Sequence, residues 1–373
     1  MGARRLLGDA AEGVRVKITF VVPDYSRVAG GMRVIAEHAR RLRRRGHEVV
    51  VVATPGGRPS LVRRVFDALR GRGPGGKGFF EDGEVQLRLL DRFRTVTDAD
   101  VPDADVVVAT WWKTAPGVAA LSPRKGAKAL FIQGYELEPG RTDPALDATW
   151  RMPMRKIVVA KWLKNLAAAR FDDPRALLVP NGVDARQFDA PRRARRATPT
   201  AGLVYWRLPM KGTDVSLDAV RRARRDLPGL KLVAFGMDRE GSELPLPSGT
   251  VYHREPAQAA IPGLYASCDA WLWGSRQEGF GLPLLEAMAC RTPVVASTAG
   301  AAPEILERAG GAIVPTGDPQ AMADAIVRIL RMPERQWSEL SEAARETASA
   351  WSWERSSGLF EDAIRRAREE APA

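Results

Sequence analysis

Short apolar runs alternate with amphipathic helical patterns along the chain. A β-branched run at 16–22 is followed by Gly30-Gly31, a helical pattern over 34–45 and a second apolar run at 49–52. Two parallel strands need a crossover of about a dozen residues or more, usually a helix, because a tight turn reverses the direction of the chain. The alternation therefore predicts strand–helix–strand units and an α/β fold.

The same pattern fills both halves of the chain. In the first half, further buried strands are predicted at 106–109, 129–133, 157–160 and 177–179. In the second half, the predicted strands are 202–206, 231–235, 250–253, 270–273, 293–296 and 312–314, with helices at 213–225, 261–267, 283–289 and 319–331. This order is typical of doubly wound parallel sheets with helices on both faces. We therefore expect two Rossmann-like domains.

The length agrees with two domains, because the chain has 373 residues and a domain usually has about 100–200. We assign residues 1–184 to the first domain and residues 201–350 to the second. Residues 185–200 show little hydrophobic periodicity, so we assign them to the linker. Residues 351–373 are predicted to form a C-terminal helix that packs back toward the first domain.

The sequence gives no sign of a membrane-spanning helix or a disulfide framework. No apolar stretch approaches the length of about 18 residues that predicts a membrane span, and the first residues lack the apolar region of a signal peptide. We therefore expect a cytoplasmic protein. The two cysteines, Cys268 and Cys290, lack metal-ligand spacing and are predicted to be buried apolar residues.

The formal net charge of +12 attracts anions of any kind. The arginine clusters at 40–45, 192–196 and 221–225 have few aromatic neighbours, and no base-reading motif accompanies them. Solvated surface is therefore expected rather than a nucleic-acid interface. The helical pattern over 61–70 fits a core-packed helix, and its alternative is a peripheral contact with anionic membrane.

Residues 71–77 satisfy a glycine-rich dinucleotide pattern and nearly satisfy a phosphate-loop pattern. Both patterns require a buried strand directly before the glycines and a helix directly after them. The flanking residues provide neither, so a loop is the better interpretation.

The segment that predicts chemistry follows the strand at 270–273. Pro283 suits the first turn of a helix, so the amides before it would form an anion site at the helix N-terminus. Glu278 precedes this turn and Glu286 follows it by eight positions, so the two carboxylates reach different parts of one extended ligand. The residues of this segment assigned to the ligand site are Ser275, Glu278, Gly279, Phe280, Gly281, Leu282 and Glu286.

This segment resembles the retaining glycosyltransferases of family 4, whose signature is the Glu-x7-Glu spacing. Further resemblance lies in Gly30-Gly31, in the Arg207 to Lys211-Gly212 segment, and in four stretches of the chain. These stretches are 179–184, 264–270, 292–296 and 351–354. The resemblance implies an α/β, GT-B fold in which two Rossmann-like domains face a central cleft.

The resemblance also implies roles for single residues. Glu286 would accept hydrogen bonds from the ribose hydroxyls and Glu278 would hold hydroxyls of the donor sugar. Arg207 and Lys211 would bind the pyrophosphate, because cations stabilise the negative charge on the leaving nucleoside diphosphate. No metal or other cofactor would be needed. Taken singly, each of these residues has a simpler interpretation as a solvated surface charge or an ordinary helix residue.

Two features depart from the family pattern. Many members carry a histidine at the end of an N-terminal strand, whereas this chain has Gln133 there, so either Gln133 or a backbone carbonyl near Gly134 would take its place. The gap between Arg207 and Lys211 is one residue shorter than usual. The stretch around Gln133, together with Trp111-Trp112, is similar to bacterial transferases that build rhamnose- or mannose-type glycans.

We therefore predict a metal-independent, retaining hexosyltransferase acting in cell-surface glycan synthesis. Its partners would be a nucleotide-sugar donor and a glycan, lipid-linked or small-molecule acceptor, at the inner face of the membrane or free of it. Gly30 and Gly31 are assigned to a phosphate or acceptor loop, and Gln133, Trp111 and Trp112 are assigned to contacts with the acceptor or the sugar. The alternatives are a sugar-nucleotide epimerase or phosphorylase of the same fold, and a non-enzymatic basic adaptor for anionic membrane or nucleic acid.

Overall fold

The computed structural model describes residues 14–23, 30–54, 79–80, 83–135 and 143–371. The described residues fall into two compact units. The first is drawn from residues 1–131, 152–155 and 361–373, and the second from residues 132–151 and 156–360.

The first sheet has seven strands in the order β3-β2-β1-β4-β5-β6-β7. The strands are β1 Lys17–Val22, β2 Glu48–Ala53, β3 Gln86–Leu89, β4 Val106–Ala109, β5 Ala127–Ile132, β6 Arg155–Val158 and β7 Leu177–Leu178. β1 pairs in parallel with β2 on one side and with β4 on the other. β4 is buried along its whole length, as expected for a parallel strand covered on both faces.

Four described helices accompany this sheet, namely α1 Gly30–Arg44, α2 Ala115–Ala119, α3 Pro144–Arg151 and α4 Lys161–Phe171. In α1 the buried residues include Met32, Ile35, Ala39 and Leu42, a spacing that places one apolar stripe against the sheet. Gly46, with φ of +92°, follows the end of α1. Helix α1 begins four residues earlier than the predicted 34, because Gly30 and Gly31 belong to its first turn rather than to the preceding connection.

The second sheet has six strands in the order β10-β9-β8-β11-β12-β13, and all described pairings are parallel. The strands are β8 Thr200–Val204, β9 Lys231–Gly236, β10 Val251–Arg254, β11 Ala270–Trp273, β12 Val294–Ser297 and β13 Gly311–Val314. The helices that follow are α5 Thr213–Asp226, α6 Ile261–Ala266, α7 Leu282–Ala289, α8 Ala302–Leu306, α9 Pro319–Leu330, α10 Glu334–Ser349 and α11 Trp353–Glu369. The sequence therefore predicted every strand of this sheet, with shifts of one or two residues at the ends.

A buried carboxylate explains why β8 begins at Thr200, two residues before the predicted start. Asp269 is fully buried and accepts hydrogen bonds from the Thr200 amide at 3.0 Å, the Arg196 amide at 3.0 Å and Arg193 Nη1 at 2.9 Å. These bonds hold residues 193–200 against the start of β11. The side chain of Asp269 thus fixes the start of β8 beside β11, and β8 leads to the site described below.

Replacing Asp269 with asparagine is expected to lower the free energy of unfolding by about 3 kcal/mol, because removing one partner of a buried pair leaves the other uncompensated. Urea denaturation measures the loss. Asp226→Asn is the matched control, since its ion pair with Arg331 is more than half exposed and such pairs contribute about 0–1 kcal/mol. Equal losses in the two variants would contradict this account.

Both cysteines are buried, as predicted. Burial raises the pKa of the Cys268 and Cys290 thiols to about 12, so both are protonated at neutral pH. Among the described helices, none has the length and apolar character needed to cross a bilayer.

Candidate active site

The second sheet reverses its strand order at β8. From β8 the chain proceeds to β9 on one side, whereas β11 is the neighbour on the other side. In open α/β sheets, ligands bind in the crevice outside the carboxyl ends of the strands at such a reversal. The segments at this position are residues 205–212 after β8 and residues 274–281 after β11. They contain most of the residues that the sequence assigned to the donor site.

The backbone holds these two segments together. After β8 the chain makes a 3₁₀ turn at Pro209–Lys211, and the Arg276 amide donates to the Met210 carbonyl at 2.8 Å. Gly212 has a φ of +57°, and a Cβ added there would lie 1.9 Å from the Gly274 carbonyl oxygen. Only glycine permits this approach, so the turn and the loop after β11 are fixed against each other.

The centre of the site is an ion pair. Lys211 Nζ lies 2.6 Å from Glu278 Oε1, and Ser275 Oγ donates to the same oxygen at 3.0 Å. The Glu278 side chain is 10% exposed and that of Lys211 is 25% exposed, so the pair is shielded but reachable. The structure thus brings together three predicted residues, two of which are 67 positions apart in the chain.

Glu286 lies on α7 and is 7% exposed. Its Oε2 accepts a hydrogen bond from the Tyr265 hydroxyl at 2.9 Å. Tyr265 is fully buried on α6, and the sequence analysis did not assign it a role. The bond fixes the carboxylate of Glu286, which retains acceptor capacity for hydroxyl groups of a ligand.

The loop before α7 has the geometry that its glycines suggested. Gly281 has a φ of +110° and directly precedes α7, whose first residues are Leu282 and Pro283. Phe280 is buried. A Cβ added to Gly279 would lie 1.6 Å from the Gln133 carbonyl oxygen. The predicted helix start is confirmed, and Gln133 meets the loop through its backbone.

The structure places Arg207 apart from this ion pair. Its guanidinium pairs with Glu243 and is about half exposed. Its amide donates to Asp238 Oδ2 at 2.8 Å. The resemblance grouped Arg207 with Lys211, whereas in the structure the two side chains pair with different carboxylates. A role for Arg207 at the pyrophosphate therefore stays a prediction.

The residues assigned to the acceptor lie mostly in the first unit. Its sheet reverses order at β1, beside β4, and Gly30 and Gly31 open α1 after β1. After β4, the Trp111 and Trp112 rings meet edge to face with centroids 5.9 Å apart, and Lys113 Nζ lies 4.9 and 5.0 Å from the two centroids. Trp111 and Lys113 line a cavity of about 100 Å³.

Within the described ranges, no group of three or more His, Cys, Asp or Glu residues is arranged to hold a metal ion. The glycine-rich residues 71–77 and the amphipathic pattern at 61–70 lie outside the residues that the structure describes. The hypothesis of a membrane-surface helix at 61–70 stays a prediction.

Two families of known proteins match this chain. Residues 28–187 match the family described as Glycosyltransferase Family 4, and residues 200–332 match the family described as Glycosyl transferases group 1. The first match covers β2 to β7, and the second covers β8 to β13 with the ion pair and both glutamates of the Glu-x7-Glu spacing.

The chain is also similar to individual proteins over part of its length. D-inositol 3-phosphate glycosyltransferase of Saccharomonospora viridis is 39% identical over 108 residues, which are 29% of this chain and 25% of that protein. O-antigen chain mannosyltransferase B of Escherichia coli is 38% identical over 96 residues, which are 25% of this chain and 24% of that protein. The matching segment thus spans about a quarter of the length of these relatives.

One solved structure extends the comparison to nearly the whole chain. The Anabaena protein HepE, crystallised with UDP and glucose, has a TM-score of 0.71 at 17% identity and covers 94% of this chain and all of its own. This similarity concerns the fold and confirms the predicted pair of Rossmann-like parallel-sheet domains. With two family matches and this architecture, the chain belongs to the family 4 glycosyltransferases and has the GT-B fold.

Proposed function

We propose that this glycosyltransferase moves a hexose or deoxyhexose from a nucleoside-diphosphate sugar to an acceptor hydroxyl with retention of the anomeric configuration. The observation that carries the proposal is the contact between Lys211 and Glu278 at the carboxyl ends of β8 and β11. A cation and a carboxylate held side by side match the two ends of the donor's reactive part, which are a diphosphate and a polyhydroxylated sugar.

The Lys211 ammonium stabilises the departing diphosphate. Breaking the bond between the anomeric carbon and the phosphate oxygen leaves negative charge on the nucleoside diphosphate, and a fixed cation lowers the energy of that state. Glu278 holds Lys211 in place through one oxygen and accepts sugar hydroxyls with its remaining acceptor positions. Because Lys211 and the amides before α7 supply the positive charge, we propose that the transfer needs no metal ion.

Retention follows if the acceptor hydroxyl attacks the anomeric carbon from the same face as the one from which the leaving group departs. The acceptor hydroxyl then forms the new bond to the anomeric carbon while the departing phosphate oxygen takes its proton. This proposal uses no pair of carboxylates flanking the bond, unlike the glycosidase arrangement. It assigns Glu278 to binding and orientation rather than to covalent attack.

The proposed acceptor is a glycan, a lipid-linked sugar or a small polyol, used in the synthesis of cell-surface glycans at the cytoplasmic side. The names of the partial relatives, an inositol phosphate glycosyltransferase and an O-antigen mannosyltransferase, support this class of acceptor. The Trp111-Trp112 pair offers aromatic faces to a sugar ring, and Lys113 beside it offers a charge to a phosphate.

Thermal unfolding with UDP, GDP, ADP, dTDP and their common sugar conjugates tests the donor assignment. Saturation at about 100 times the dissociation constant adds about 2.7 kcal/mol to stability, so we expect one nucleotide to raise the Tm of the wild type and to act more weakly on Lys211→Ala.

NMR of the product then reports the anomeric configuration, and turnover in EDTA reports the metal requirement. Stabilisation by no nucleotide would overturn the proposal and favour the basic adaptor.

A further inference from the structure

A tryptophan that the sequence analysis did not assign to the site contacts the backbone of the loop before α7. Trp162 Nε1 donates a hydrogen bond to the Gly279 carbonyl oxygen at 2.9 Å, across 117 positions of the chain. Trp162 is the second residue of α4 and is half-buried. Gly279 follows Glu278 directly, so this bond acts on the peptide that adjoins the central ion pair.

The start of α4 is itself anchored. The Lys161 amide donates to Glu304 Oε1 at 2.6 Å, which satisfies one of the free amides at the helix N-terminus. Glu304 belongs to α8, and Gly300, just before that helix, lies so close to Glu278 that an added Cβ would be 2.8 Å from its Cβ. Trp162 therefore extends from a fixed base toward the loop.

The other side of Glu278 is held as well. Gln277 Nε2 donates to the Tyr135 carbonyl oxygen, and the Gly279 backbone lies directly against Gln133. Glu278 thus lies between two residues whose positions are set by contacts outside the loop. Of these contacts, the bond from Trp162 is the one that fixes the orientation of a peptide plane.

Because the peptide group is planar, the hydrogen bond from Trp162 to the Gly279 carbonyl also fixes the direction of the Phe280 N–H. In a trans peptide the carbonyl and the following N–H point in opposite directions, so the Phe280 N–H points away from Trp162. Among the described residues, no backbone or side-chain group accepts a hydrogen bond from this N–H. The N–H lies two residues before α7, where the helix dipole favours anions.

We propose that Trp162 is a positioning residue for the donor, holding the Gly279–Phe280 peptide so that the Phe280 N–H donates to the diphosphate of the bound nucleotide sugar. The inference rests on the proposed function and adds a residue to its site. Trp162 itself does not contact the donor. Its effect is therefore on ligands that carry the diphosphate, and a nucleoside without phosphate is bound equally well with and without the indole N–H.

The test compares Trp162→Phe with Trp337→Phe. Both changes remove an indole N–H that donates to a backbone carbonyl, but the Trp337 bond, to Asp269 at 3.0 Å, lies in the core of the second sheet. Calorimetry measures the dissociation constants of the nucleoside diphosphate that stabilises the wild type and of its nucleoside. We expect Trp162→Phe to weaken diphosphate binding about tenfold and to lower kcat/KM, with nucleoside binding unchanged. Trp337→Phe is expected to lower the Tm and leave both dissociation constants unchanged.

A second variant, Trp162→His, retains a ring N–H and is expected to restore part of the diphosphate affinity. The inference is overturned if Trp162→Phe binds diphosphate like the wild type, or if it loses nucleoside and diphosphate affinity equally. If Lys211→Ala loses diphosphate affinity while Trp162→Phe does not, this inference fails and the proposed function stands. If the wild type binds no nucleoside diphosphate, both fail together.

Discussion

Lys211→Ala is expected to lower kcat by about 100- to 1000-fold, the usual loss when a group that stabilises transition-state charge is removed. Lys211 supplies a full positive charge beside Glu278, and alanine removes that charge from the departing diphosphate. Glu278→Gln is expected to produce a loss of similar size, because the neutral amide neither holds the ammonium nor accepts sugar hydroxyls as strongly. Steady-state kinetics with the identified donor measures both.

The two losses are expected to be far from additive. Each residue positions the other, so the double variant should lose little more than either single variant. Asp214→Asn is the control, because Asp214, at the start of α5, forms an exposed ion pair with Arg276 at 2.7 and 2.6 Å. It should retain kcat within about twofold, as exposed pairs contribute little. Full activity in Lys211→Ala would show that the ion pair is structural.

The second large effect is expected from Gly279→Ala. The added methyl group would lie 1.6 Å from the Gln133 carbonyl oxygen, a distance at which one of the two backbones has to move. A displacement of about 1 Å in a reacting group costs about 100-fold in rate, so kcat/KM should fall by that factor or more. The hydrogen bond from Trp162 to Gly279 should be weakened by the same movement.

The control for this variant is Gly229→Ala. Gly229 is exposed, and an added Cβ there meets nothing within 4 Å, so the change tests the loss of a glycine without a collision. Kinetics and thermal unfolding of the two variants are compared. If Gly279→Ala keeps wild-type kcat/KM, the close approach of Gln133 to the loop does not matter to the reaction.

Local sequence patterns predicted the parts of the site that are local in the chain. The Gly279-Phe280-Gly281 run before Pro283 predicted the turn into α7, because both a positive φ and a helix start have recognisable residues. The strands were predicted from β-branched apolar runs. β3, with the sequence Gln-Leu-Arg-Leu and mostly exposed, was missed because its composition resembles a loop.

Contacts between distant segments were beyond the reach of such patterns. The meeting of Lys211 with Glu278 follows from the strand order of the sheet, which hydrophobic periodicity does not give. Arg207 was assigned to the pyrophosphate by the family resemblance, and no local pattern indicated that its side chain pairs with Glu243. No local signal marked Trp162, and the resemblance at 264–270 gave Tyr265 no role, because each acts through one hydrogen bond to a residue on another element.

The approach of Gly212 to Gly274 has a consequence for anyone who recombines this enzyme with a relative. At that point backbone lies against backbone, so a chimaera that takes residues 205–213 from one parent and residues 273–282 from another joins two surfaces that were not shaped together. The two stretches form a single exchangeable part. Transplanted as a pair, the two stretches carry the ion pair of Lys211 and Glu278 with its geometry intact. The remainder of the second sheet is left free to diversify.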